Sequence, residues 1–129
     1  MREVILVVDD EPMVLSIVSH ILTRAGYVVL RAASPEEALA VARSHSAAIH
    51  LLLSDVMMPN LSGPSLAERI AELHPETGRL FMAGLPDSAE VSERILSRGL
   101  PFLPKPFAAR TLLEKVREVL ESANPMVTA

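Results

Sequence analysis

Two kinds of hydrophobic segment alternate along the chain. Short apolar runs stand at Val4–Val8, Tyr27–Arg31, Ile49–Leu53, Leu80–Ala83 and Phe102–Leu103. Runs this short, several rich in β-branched or large aliphatic residues, predict buried strands. Longer stretches between them carry helical spacing. Val14, Ile17, Val18, Ile21 and Ala25 recur at i, i+3, i+4, i+7 and i+11, and Leu112, Leu113, Val116, Val119 and Leu120 form a similar stripe. Helices are predicted over 12–25, 35–45, 63–74, 88–98 and 108–121.

Residues at the boundaries support this division. Ser34-Pro35-Glu36-Glu37 reads as a capping box with proline at the first helical position. Asp87-Ser88-Ala89-Glu90 is a weaker start of the same kind, and Gly26 and Gly99 follow helical stretches where a left-handed residue is often needed. All 10 prolines fall at or outside the ends of predicted elements. Strand–helix alternation implies a parallel sheet with helices on both faces, joined by right-handed crossovers. The fold class is α/β, a doubly wound flavodoxin-like (βα)5 with strand order 2-1-3-4-5.

Composition narrows the classes of function. A chain of 129 residues, half of them hydrophobic and 22% charged, suits one domain, placed at 1–121 with a fraying tail over 122–129. Its net charge of −4 argues against binding a phosphate backbone. The absence of cysteine excludes disulfides, thiolate metal sites and cysteine nucleophiles. The Val4–Val8 run ends in Asp9, Asp10 and Glu11, unlike a secretory signal, and no segment nears the roughly 20 apolar residues of a membrane span. A soluble cytoplasmic domain is expected.

In this strand order, ligands bind beyond the C-terminal strand ends, where strands 1 and 3 diverge. Strand 1 runs into Asp9 and Asp10, and strand 3 ends in Ser54 and Asp55. Carboxylates gathered there repel unless a cation joins them, and a hard divalent ion such as Mg²⁺ takes oxygen ligands. Strand 5 brings Lys105 to the same edge as a point charge suited to phosphate. The histidines at 20, 45, 50 and 74 share no ligand spacing, and no protein base is evident. This set suits phosphoryl transfer onto a carboxylate, in which positioning and charge neutralisation do most of the work.

Val7-Val8-Asp9-Asp10-Glu11-Pro12, Ser54-Asp55-Val56-Met57-Met58-Pro59 with Gly63, and Lys105-Pro106-Phe107 together resemble the receiver domain of two-component response regulators. The likeness spans roughly residues 3 to 121 and includes the chemotaxis response regulator and the receivers of hybrid sensor kinases. It implies that Asp55 is the phosphoacceptor. It also implies that Asp10 binds Mg²⁺ directly, Asp9 through water and Met57 through its carbonyl. Lys105 would pair with Asp55 before phosphorylation and with the phosphoryl oxygens after it. The Lys105–Pro106 bond matches a position commonly cis. Phe102 falls at an aromatic switch position.

One position departs from the family pattern. Ala83, in Phe81-Met82-Ala83-Gly84, replaces the usual Thr or Ser whose hydroxyl binds the phosphoryl group. Backbone N–H groups of Met57 and Gly84 can still hold phosphoryl oxygens. The resemblance implies a histidine kinase or phosphotransfer protein as donor. Phosphorylation would remodel the face formed by the 88–98 helix, the fifth strand and the last helix. The first and last helices carry candidate surfaces for partners or a homodimer. No effector segment follows residue 121, so no DNA contact by this chain is expected. Two alternatives remain: a degenerate, phosphorylation-independent interaction module, suggested by Ala83, and a haloacid-dehalogenase-like phosphatase. The phosphatase fits less well, because its Asp-x-Asp pattern follows strand 1.

Overall fold

The computed structural model describes residues 2–84 and 101–122. In chain order the elements are β1 (Val4–Val8), α1 (Pro12–Arg24), β2 (Val28–Ala32), α2 (Pro35–Ser44), β3 (Leu51–Asp55), α3 (Gly63–Leu73), β4 (Gly78–Gly84), β5 (Phe102–Lys105) and α4 (Ala109–Ser122). The helix predicted over 88–98, its start at Asp87 and the glycine at 99 lie outside the described residues. All strand pairs are parallel, in the order β2-β1-β3-β4-β5. The flavodoxin-like order is therefore the one observed.

Strand alternation divides the apolar residues into two cores. Leu6, Val8, Leu52, Phe81 and Ala83 face α2 and α3, where Ala38, Leu39, Leu66 and Ile70 cover them. Ile5, Val7, Leu51, Leu53, Leu80, Met82 and Leu103 face α1 and α4, under Leu15, Val18, Leu22, Leu112 and Val116. Every residue of β3 is buried, as expected of a central strand covered on both faces.

Local chemistry sets the ends of the elements. The Ser34 hydroxyl accepts the Glu37 N–H at 3.1 Å, and the Glu37 carboxylate accepts the Ala33 N–H at 3.2 Å, one residue before the cap. Helix α1 closes in a Schellman turn: Gly26 N–H donates to Thr23 O at 3.1 Å and Tyr27 N–H to Leu22 O at 3.2 Å. Gly26 has φ of 101°, a conformation that costs glycine little.

Several details differ from the sequence reading, among them strand ends shifted by one or two residues, as in β2 (Val28–Ala32) and β4 (Gly78–Gly84). The buried stripe of α1 is Leu15, Val18, Ser19 and Leu22, while Ile17 is 53% exposed and Ala25 is also exposed. Helix side chains lean toward the N-terminus, so spacing alone places a stripe only to within about one residue. Strand β3 begins at Leu51 rather than Ile49, although His50 N–H still donates to Val4 O at 2.8 Å. Pro104 lies inside β5 rather than beyond a strand end. An edge strand tolerates this because the missing N–H can face away from the sheet.

Candidate functional site

The site forms where apolar alternation gives way to charge on one face of the sheet. Asp9 continues the alternation of Ile5 and Val7, Asp55 that of Leu51 and Leu53, and Lys105 that of Leu103. The three side chains therefore meet at the C-terminal edge. Asp9 and Asp55 are buried, whereas Asp10 is exposed. One carboxylate oxygen from each of Asp9, Asp10 and Asp55 lies within 4.8 Å of the others, the only such group of potential metal ligands among the described residues.

Lys105 Nζ sits between two of these carboxylates, 3.0 Å from Asp9 Oδ2 and 3.5 Å from Asp55 Oδ2. Its shorter contact is with Asp9, whereas the resemblance had implied Asp55. The other Asp9 oxygen accepts the Glu11 N–H at 2.9 Å, so Asp9 is held at both ends. Burial pushes the Asp55 carboxyl from its ordinary 3.8 up to about 6, with Asp9 and Asp10 adding to the rise and Lys105 opposing it. Burial works to lower the Lys105 ammonium. The hydrogen bond to Asp9 and the charges of Asp55, Asp9 and Glu11 nevertheless hold it above its ordinary range.

These values have a consequence for stability. Asp55 binds its proton more tightly folded than unfolded, so its contribution favours the fold at low pH. That advantage is lost as pH rises from about 4 through about 6. In Mg²⁺-free buffer at pH 7.5, Asp55→Asn is therefore expected to stabilise the protein by about 1–3 kcal/mol. Near pH 4 the gain should disappear. Denaturant titrations in chelator at the two pH values check this.

The loop after β3 is held by the backbone. Ser54 Oγ donates to Asp55 O at 2.9 Å, Val56 N–H to Met82 O at 2.9 Å and Gly63 N–H to Val56 O at 2.8 Å. A methyl group at Gly63 would overlap the Asp55 carbonyl oxygen and stand 3.1 Å from Val56 Cα. Sequence reasoning placed Gly63 at the start of a helix but missed this close approach, and it gave Ser54 no role. Met57 follows Val56 with a half-exposed side chain.

Gly84 lies opposite Lys105 in the β4–β5 register, and Ala83 opposite Pro104. Ala83 is buried in the core on the α2–α3 side, and Phe102 packs against that same core. The Lys105–Pro106 bond is cis. None of the histidines joins the site. His50 Nδ1 accepts the Val4 N–H at 2.9 Å, and His74 Nε2 lies 2.9 Å from Ala42 O. His20 is exposed on α1, and His45 ends α2.

Residues 5–117 match the family described as the response regulator receiver domain. The chain belongs to that receiver family. It is 33% identical over 120 residues to the sensor kinase CckA of Brucella abortus, covering 93% of this chain and 13% of the kinase. The chain also spans about half of a probable transcriptional regulator, ycf27, of Pyropia yezoensis (51%). The response regulator receiver protein CpdR of Brucella abortus is 31% identical and matched over its whole length, covering 95% of this chain.

Solved structures agree with the receiver assignment. A CheY-like receiver domain from Methanospirillum hungatei JF-1 superposes with a TM-score of 0.83 at 31% identity, over 98% of this chain and 99% of its own. The receiver domain of the hybrid histidine kinase CckA gives 0.75 at 36% identity, over 91% and 98%. Buried carboxylates stand at the ends of both β1 and β3, Asp9 and Asp55, so burial does not separate the receiver and phosphatase readings. The match to the receiver family over residues 5–117 weighs against the phosphatase alternative. Among the described residues, no helix is long and apolar enough to cross a membrane.

Proposed function

We propose that this receiver accepts a phosphoryl group on Asp55 from a phosphohistidine of a histidine kinase or phosphotransfer protein in the cytoplasm. One observation carries the reading: Asp9, Asp10 and Asp55 converge at one strand edge with Lys105 reaching two of them. An Asp55 oxygen forms the new O–P bond as the P–N bond to the donor imidazole breaks. The imidazole leaves with the electron pair and takes up a proton. The barrier is lowered by positioning and by neutralising charge on the transferred group.

The oxygen-only donor set suits Mg²⁺, because one lysine cannot balance three carboxylates. Asp10, Asp55 and the Met57 carbonyl would hold the ion, with Asp9 acting through water. When bound, Mg²⁺ supplies charge neutralisation for the phosphoryl oxygens. Lys105 then exchanges its Asp55 contact for a phosphoryl oxygen and keeps its contact with Asp9. Backbone N–H groups of Met57 and Gly84 complete the cradle. The output follows as a population shift on the β5–α4 side of the domain. Borohydride reduction of the phosphorylated chain tests the site, since an acyl phosphate at Asp55 becomes homoserine at position 55. Homoserine elsewhere, or nowhere, rejects the assignment.

Ala83 favours a second reading, a module that signals without phosphate. A hydrogen bond to a charged group contributes about 1.5–3 kcal/mol, and Ala83 cannot supply one. We infer that Asp55 is phosphorylated but that coupling to Phe102 is weakened or rerouted. Ala83→Ser is expected to raise the switched fraction of phosphorylated protein by about tenfold. NMR of the phosphorylated forms would show it. An unchanged uptake rate, phosphoryl lifetime and switched fraction would reject the coupling argument and favour the phosphate-independent module.

A further inference from the structure

Directly beneath the acidic cluster, one row of residues stands abreast across the whole sheet: Ala32, Val8, Ser54, Phe81 and Phe102. Four of the five are apolar. Ser54, in the centre of the row, is fully buried between Val8 and Phe81, both with no exposed surface. A hydroxyl there is costly unless bonded, and alanine would fill the position without that cost. The Ser54 hydroxyl donates instead to the carbonyl of the next residue, Asp55, at 2.9 Å.

That carbonyl stands at a point where the sheet gives less support. Pairing of β3 with β1 stops at Val8 and Ser54, whereas pairing with β4 continues through Asp55 and Met82. The chain of β1 turns away at Asp9, whose N–H goes to Ala32 O at 3.3 Å. On its other side the Asp55 carbonyl meets the first residue of α3, where only a glycine fits. The hydroxyl and the helix together fix the peptide plane between Asp55 and Val56. That plane sets both the direction of the Asp55 side chain and the course of the backbone to Met57.

We propose that Ser54 is a positioning residue for the phosphoacceptor, acting through the Asp55 carbonyl rather than by touching the phosphoryl group. The inference rests on the phosphoacceptor reading of Asp55. It differs from a purely structural role in what it requires of the variants: loss of the hydroxyl must slow transfer and weaken Mg²⁺ binding in protein that is still fully folded.

The test compares Ser54→Ala, Ser54→Val and Ser54→Thr in the full chain. Valine and threonine add the same bulk between Val8 and Phe81, so their difference isolates the hydroxyl. Three quantities are read: Mg²⁺ affinity by calorimetry, the rate of phosphoryl uptake from acetyl phosphate at saturating Mg²⁺, and amide exchange at Val56 and Gly63. Alanine and valine are expected to slow uptake about tenfold, weaken Mg²⁺ binding and speed exchange at both amides, while threonine stays within about twofold of wild type. If valine fails to fold, alanine against threonine carries the comparison.

Equal rates and affinities in all variants overturn the proposal, as does a threonine variant as slow as valine. A wild-type chain that binds Mg²⁺ but takes up no phosphoryl group either from acetyl phosphate or from a phosphohistidine donor rejects the phosphoacceptor reading by itself. Mg²⁺ affinity then decides Ser54: weaker binding in alanine and valine supports its positioning role, and unchanged binding overturns it. A wild type that does neither rejects both.

Discussion

Gly63→Ala is expected to slow phosphoryl uptake at Asp55 by tenfold or more and to destabilise the fold by about 1–3 kcal/mol. The added methyl would overlap the Asp55 carbonyl oxygen and lie 3.2 Å from its carbonyl carbon. These obstructing atoms are backbone, so no side-chain rotation relieves them. Either α3 moves outward, breaking the 2.8 Å bond from Gly63 N–H to Val56 O, or the end of β3 shifts. Both responses displace Asp55 relative to Asp9, Asp10 and Lys105. An error of about 1 Å in a transfer site can cost a hundredfold in rate, about 2.7 kcal/mol, so the kinetic effect should be comparable to the effect on stability. Denaturant titration and uptake rates on one preparation measure both. Wild-type values in each would mean that the close approach does not hold the acceptor in place.

Lys105→Met should produce the second large effect, a loss of about 2–3 kcal/mol in Mg²⁺-free buffer near pH 7.5. Lys105 brings positive charge against buried Asp9 at 3.0 Å and Asp55 at 3.5 Å. Removing one partner of a buried pair leaves the other charge uncompensated, which generally costs more than the pair contributes. The share due to Asp55 should shrink as the pH falls through about 6, because a protonated carboxyl no longer needs the lysine. Saturating Mg²⁺ should narrow the deficit at neutral pH, since the ion compensates the same carboxylates. A deficit independent of both pH and Mg²⁺ would assign Lys105 a packing role and contradict the electrostatic account.

The strands and helices in the described residues were legible because each apolar run had a period and an end. Pro35 with Ser34, and Gly26 after α1, marked boundaries that the backbone confirms. The buried side of α1 was less legible. Ile17 satisfies the helical period as well as Leu15 does, and only docking on the sheet decides which is covered. The carboxylates and Lys105 could be brought together from topology alone, because strand order predicts which ends are neighbours. Their pairing could not. Asp9 and Asp55 each stand one residue past the Val8–Ser54 pair, so register does not distinguish them. The shorter contact of Lys105 with Asp9 is a matter of side-chain geometry that no spacing records.

Ser54 and Gly63 were missed as site residues for a related reason. Both act on a backbone carbonyl, and sequence patterns carry side-chain chemistry far better than close approaches of main chain. A serine amid Leu51, Leu52, Leu53 and Val56 was the available signal, a polar residue in an otherwise apolar run. Ala83 gave the opposite signal, an absence visible only against the family pattern. In the structure it is simply a small residue well packed in the core.

The central claim is that Asp55, served by Asp9, Asp10 and Lys105, takes up one phosphoryl group with Mg²⁺. Intact-mass spectrometry after incubation with acetyl phosphate or phosphoramidate measures this directly. The expected result is a single phosphoryl addition that requires Mg²⁺, disappears with chelator and is absent from Asp55→Asn. Addition without Mg²⁺, or addition that survives Asp55→Asn, would contradict the account.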